Sequence, residues 1–237
     1  MGRAIKFLPV AMLLLSACHF NSHQMNSEGL ALIMRENYKG AVVLYNKICS
    51  SDPEWMPAYY NRAIALANSG NLKDAAKDLS TVIKYHPDQC NAYFNRAIIH
   101  ENMGDAGKAI KDYSQAIALQ PDFLLAYHYR GMARFKINDT EGALKDFTQA
   151  IKLGDGVSMD IREAKEFGLN SSGLFFCRAA AYHKLGLFEK AIEDYSRSLR
   201  INPSNAKALY NRGAAYLKIG EKNKADKDFA RASKAIH

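Results

Sequence analysis

Residues 58–88 read AYYNRAIALANSGNLKDAAKDLSTVIKYHPD, and the fold is decided in this stretch. Tyr59, Ala63 and Leu66 recur at helical spacing and form one apolar stripe, and Ala75, Leu79 and Val82 form another. Between them Asn68-Ser69-Gly70-Asn71 is a helix stop, and Pro87-Asp88 closes the unit. The stretch predicts two helices joined by a tight turn, each with one face to bury against the other.

The same pattern returns along the chain. Pro53, Pro87 and Pro121 are 34 residues apart; so are Ala41, Ala75, Ala109 and Ala143, and so are Gly29, Ala63, Ala97 and Gly131. Ala179 with Ala191 and then Gly213 with Ala225 continue both series, after one step of 48 and one of 34. Large residues keep the register at Tyr45, Leu79, Tyr113, Phe147, Tyr195 and Phe229. A fixed period of this length is the mark of a repeat architecture. The chain is therefore expected to be all-α, with about six hairpins and a 14-residue insertion after the fourth.

These residues resemble the tetratricopeptide repeat, with its small residues on both helices, its aromatic on the second and its closing Pro. The resemblance covers roughly residues 22–237 and implies a right-handed superhelical solenoid. Repeats one to four take residues 22–157 and repeats five and six take 172–237, with an inserted segment at 158–171 between them. Asp160-Ile161-Arg162-Glu163 has the form of a capping box, and Ile161, Ala164 and Phe167 are three apart, so the insertion reads as a short extra helix or an extended hairpin. The family often has Leu before the small residue of the first helix. Here Arg62, Arg96, Arg130, Arg178 and Arg212 stand at that site, and Asp78, Asp112, Asp146, Asp194 and Asp228 each follow 16 residues later. Each pair is equidistant from its turn residue, so five intra-repeat ion pairs are expected as architecture. The first repeat has Glu28 and Leu44 instead. The last helix, near 222–236, carries Lys222, Lys224, Lys227, Arg231 and Lys234, which suits a solvated end.

The N-terminus reads as an address. Arg3 and Lys6 precede nine apolar residues at 7–15. Nine helical residues span roughly 14 Å against a hydrocarbon core of about 30 Å, too short to cross a membrane. Leu15-Ser16-Ala17-Cys18 follows and resembles the bacterial lipoprotein signal. That resemblance implies a signal peptide at 1–17, lipid on Cys18, a lipidated tether at 18–24 and, with His19 after the Cys, an outer-membrane address facing the periplasm.

Of the 237 residues, 48% are apolar and 24% charged, which is globular composition and excludes a disordered chain. Net charge is +8, a mild excess that by itself says little about partners. No phosphate-binding Gly-rich loop, nucleophile elbow or zinc-protease His pair is present, so neither a catalytic residue, a metal nor a cofactor is expected. Cys49, Cys90 and Cys177 lie in different repeats without metal-ligand spacing and are expected to be free, buried thiols.

The remaining signal is the concave face that the resemblance assigns to the first helices. Tyr60, Asn61, Phe94, Asn95, His128, Tyr129, Phe135, Phe176, Tyr210 and Asn211 are expected there, with Lys136, Lys184 and Lys218 near the helix ends. Aromatics, amides and a lysine row suit an extended peptide. The expected function is a non-enzymatic, membrane-anchored scaffold or adaptor in the bacterial cell envelope, holding a peptide or partner protein and no nucleic acid. The alternative is a component that binds cell-wall glycan or polymer, or a pilotin-like assembly factor of a secretion or pilus system.

Overall fold

In a computed structural model of the protein, residues 20–156 and 169–235 are described, and they form twelve helices. The chain divides into two compact units, Met1–Pro121 and Asp122–His237. The first holds α1 (Phe20–Met34), α2 (Tyr38–Ser51), α3 (Met56–Asn68), α4 (Leu72–Tyr85), α5 (Cys90–Asn102) and α6 (Ala106–Leu119). The second holds α7 (Leu124–Lys136), α8 (Thr140–Gly156), α9 (Ser171–Lys184), α10 (Phe188–Ile201), α11 (Ala206–Lys218) and α12 (Lys222–Lys234). Within each unit every helix packs on the next, so each unit is three stacked hairpins.

The caps follow from short polar side chains. In the first unit Asn37, Asn71 and Asp105 stand before the second helices and accept the N–H of Gly40, Asp74 and Lys108. In the second unit Asp139 does the same for Gly142, and Asn170 and Asn205 cap α9 and α11. Each such cap stabilises its helix by about 1 kcal/mol. The turn inside the hairpin passes through one residue of positive φ: Gly70 at 92°, with Asn138 at 69° serving in the second unit. Asn71 N–H then reaches the Leu66 carbonyl and Gly70 N–H the Ala67 carbonyl, closing the last turn of α3.

The small residues let a ring lie against backbone. A Cβ on Gly131 would come within 2.7 Å of the Phe147 ring, and one on Gly213 within 2.8 Å of Phe229. Around such contacts the first unit buries Tyr45, Ile48 and Trp55, and further along Tyr60, Leu79 and Ile99. The second buries Phe147 between Ala143 and Ala181, and Tyr195 with Leu199 and Leu209. Each large apolar side chain so buried contributes about 1.5–3 kcal/mol.

Each of the five Asp residues is met by the Arg sixteen residues before it in a two-pronged pair. Arg62 Nε lies 2.7 Å and Nη2 2.8 Å from Asp78, Arg96 2.7 and 2.7 Å from Asp112, and Arg130 3.0 and 2.7 Å from Asp146. Arg178 and Arg212 hold Asp194 and Asp228 in the same way. The third nitrogen crosses to the preceding hairpin: Arg62 Nη1 donates to Asn46, Arg96 to Ser80 and Arg212 to Ser196. The guanidinium also lies over the aromatic ring three residues earlier at Tyr59, Tyr93, Tyr127 and Phe175. One Arg thus ties together three helices, and a planar fork does this where a lysine would not.

Two sequence expectations are corrected or fall elsewhere. The tether read at 18–24 is helical from Phe20 onward, because this segment supplies the first helix of the first hairpin. The signal segment, Cys18 and positions 158–168 of the insertion lie outside the described residues.

Candidate functional site

Four of the residues expected on a peptide-binding face are instead inside the first unit. Tyr60, Phe94 and Asn95 are fully buried and Asn61 nearly so. Asn95 Nδ2 donates to the Tyr60 hydroxyl at 2.7 Å. Asn61 Nδ2 donates to Asn26 Oδ1 at 2.8 Å, and the Tyr45 hydroxyl donates to that same oxygen at 3.2 Å. Phe94 packs on Tyr113. The expectation that these four side chains meet a ligand is therefore corrected. The reason is the pitch of the stack: an Asn in the first helix reaches back to the hairpin before it and satisfies a hydroxyl or amide there.

In the second unit His128 is also buried, between Tyr129 and Phe147. Its Nδ1 has no hydrogen-bond partner among the described residues. Burial pushes its pKa down to about 4, so it packs as a neutral ring beside Phe147. His128 too is removed from the ligand-contacting set. Phe135 is half-buried, and Lys184 Nζ lies 4.7 Å above its ring and donates to Asn138 Oδ1 at 2.6 Å. Lys184 therefore braces the α7–α8 turn from α9. Lys136 and Lys218 are exposed, and Tyr129 is half-buried.

Phe176 on α9 and Tyr210 and Asn211 on α11 come together beside α12. A cavity of about 650 Å³ opens there, lined by Phe176, Ala206, Lys207, Tyr210, Asn211, Phe229, Ala232 and Ser233. Tyr210 is 61% exposed and stacks on Phe229 at 5.3 Å. Phe176 stacks on Tyr195 at 5.8 Å, and Asn211 hydrogen-bonds the Tyr195 hydroxyl. The cavity brings together Phe176, Tyr210 and Asn211 from the expected set. It adds Lys207, Phe229 and Ser233, which the first-helix pattern did not mark as contact residues. For Phe229 the signal was available: Phe94–Tyr113, His128–Phe147, Phe176–Tyr195 and Tyr210–Phe229 are all ring pairs at one spacing.

Other chemistry is sparse. Among the described residues no three His, Cys, Asp or Glu gather as metal ligands, and Cys49, Cys90 and Cys177 are not joined in disulfides. Only Cys49 is buried; Cys90 and Cys177 are half-buried, which corrects the expectation for those two. No described helix is long and apolar enough to cross a membrane.

Hairpins stacked through ring pairs, amide–hydroxyl bonds and Arg–Asp forks define a helical-repeat protein. Tetratricopeptide-repeat models match residues 57–88, 90–123, 179–220 and 206–235. The chain is a tetratricopeptide-repeat protein. None of the curated proteins matches it by sequence. Among solved structures it is similar to MamA from Desulfovibrio magneticus, at 16% identity over 77% of this chain and 95% of that one, with a TM-score of 0.67. It is also similar to YrrB, described as a tetratricopeptide-repeat protein with an unusual peptide-binding site, at 17% identity over 81% and 91%, with a TM-score of 0.68. A third is a tetratricopeptide-repeat protein from Parabacteroides merdae, at 14% identity over 90% and 79%, with a TM-score of 0.71. At these identities the likeness is one of fold.

Proposed function

We propose that this protein is a non-enzymatic interaction scaffold, anchored to a bacterial envelope membrane through a lipid on Cys18 and binding a protein partner with its second unit. The observation that carries the binding site is the exposure of Tyr210 beside an apolar cavity, where the corresponding Tyr60 and Phe94 of the first unit are sealed. An exposed aromatic with an apolar floor and a lysine at its edge is the makeup of an interface centre. Export and lipidation are supported by the apolar run at 7–15 and the Leu15-Ser16-Ala17-Cys18 motif, and an outer-membrane, periplasm-facing address by His19. With α1 beginning at Phe20, two residues after Cys18, such an anchor would hold the first hairpin within about 7 Å of its lipid.

The test is made in cells. An alkyne-palmitate label is expected on the wild type and not on Cys18→Ser, which leaves the membrane fraction. A photoreactive residue at Tyr210 is expected to capture a protein partner. Absence of label, or no partner captured at Tyr210, contradicts the corresponding half of the reading.

A further inference from the structure

We propose that the cavity on α11 and α12 reversibly docks an amphipathic helix of a partner protein, with acidic residues at both of its ends. This rests on the protein-binding reading above and gives that partner a conformation and a charge.

The conformation follows from what covers the same surface one hairpin earlier. On α10, Tyr195, Ser198 and Leu199 are 1%, 0% and 6% exposed. Tyr195 and Leu199 are covered by α11, which packs Ala208 and Leu209 there and sends Asn211 to the Tyr195 hydroxyl, while Ser198 meets Ser172 of α9. Thirty-four residues on, the corresponding positions are Phe229, Ala232 and Ser233, three of the residues that line the cavity. The surface is therefore of a form on which this chain itself lays a helix, and among the described residues extended chain has no such precedent.

The polar edge makes the docking reversible. Where α10 carries Phe188, Ile192 and Leu199, α12 carries Lys222, Asp226 and Ser233. The apolar centre of Tyr210 and Phe229 is kept while its margin is water-compatible, as in interfaces that form and separate. The charge follows from that margin. Lys207 lines the cavity, and Lys218 and Lys222, both exposed, stand at the opposite end of the α11–α12 pair, beside the carboxylates of Asp226 and of Glu221, the latter paired with Lys224. Lys207 and Lys218 are eleven residues apart on one helix, roughly 16 Å. A docked helix with carboxylates about three turns apart would meet a lysine at each end, which fixes its placement more than it adds affinity.

The test uses the purified chain and a fluorescent synthetic helix of about eighteen residues, with Leu and Ala along one face and Glu in its first and last turns. Anisotropy is expected to show saturable binding and circular dichroism a gain in helix. A version with a central Pro, and one with Lys in place of Glu, are each expected to bind at least about tenfold more weakly. Tyr210→Glu, at an exposed position, is expected to abolish binding with thermal unfolding unchanged. Lys207→Glu with Lys218→Glu is expected to reverse the preference toward the Lys peptide. The proposal is overturned by equal binding of the Pro peptide, by no effect of the lysine reversal, or by no binding of any of the three peptides. In the first case, photocapture at Tyr210 still separates a protein-binding face that takes extended chain from a face that binds nothing. Concentration-dependent dimers in sedimentation, lost in Tyr210→Glu, would assign the cavity to a second copy of this chain and also overturn it.

Discussion

The side-chain amide of Asn95 donates to the hydroxyl of Tyr60 at 2.7 Å, joining α5 to α3 across thirty-five residues with both groups sealed from water. This bond turns two apparent ligand contacts into a structural rung. Tyr60→Phe removes the acceptor while keeping the ring. It is expected to lower stability by about 1–2 kcal/mol and to leave partner binding intact, measured by thermal unfolding alongside in-cell capture.

Asp146 takes a second guanidinium at hydrogen-bond distance, where Asp228 has its second only at 4.0 Å. Arg130 holds both oxygens, and Arg134 Nη1 adds a third bond at 2.8 Å to Oδ2. The carboxylate is only 3% exposed. Asp146→Ala leaves two guanidinium groups without their shared partner and is expected to cost about 3–5 kcal/mol. Arg134→Ala leaves the two-pronged pair in place and is expected to cost less. Hydrogen exchange of the α7 and α8 amides is the suitable readout, because repeat arrays need not unfold in one step.

Gly131 is a packing glycine. An added Cβ would lie 2.7 and 2.9 Å from Phe147 and 3.2 Å from the Asp146 Cβ. Gly131→Ala is expected to destabilise the second unit by about 1–3 kcal/mol through overpacking, seen as earlier melting. Ala97, at the same site of its own hairpin in the first unit, already accommodates the extra carbon.

Acid is expected to weaken the fold through His128. Burial holds its pKa down at about 4, below the value of about 6.5 of an unfolded histidine. Between these values the unfolded chain binds the proton that the folded chain refuses, so stability falls as pH drops from about 6.5 toward 4. His128→Phe, which copies Phe94 and Phe176, is expected to reduce that slope. Burial lowers His100 and His183 as well, so some slope should remain. Urea unfolding midpoints across this pH range would show it; an unchanged slope would mean that His128 is hydrated.

Much of this architecture was legible in the sequence because repetition removes ambiguity. A single Tyr59, Ala63 and Leu66 stripe is weak evidence, but copies in one register are not. The Arg–Asp forks were legible for a related reason, since residues equidistant from a tight turn are brought face to face. Burial of the candidate site was harder to read. Tyr60 and Tyr210 occupy one register position and look alike in sequence, yet one is sealed and the other 61% exposed. The difference lies in the neighbour: Asn95 reaches back over Tyr60, whereas the described helices leave Tyr210 uncovered. The tether at 18–24 misled because polar residues such as Ser22 resemble a linker, while Ser22 is buried and its hydroxyl donates to Asp52.

The most direct measurement compares partner capture in cells by Tyr60→Phe and Tyr210→Ala, with the photoreactive residue placed at exposed Lys207 and folding checked for both. The expected result is that Tyr60→Phe melts earlier and still captures the partner, whereas Tyr210→Ala melts like the wild type and captures none. Undiminished capture by Tyr210→Ala, or loss of capture in a folded Tyr60→Phe, would contradict a binding site on the second unit.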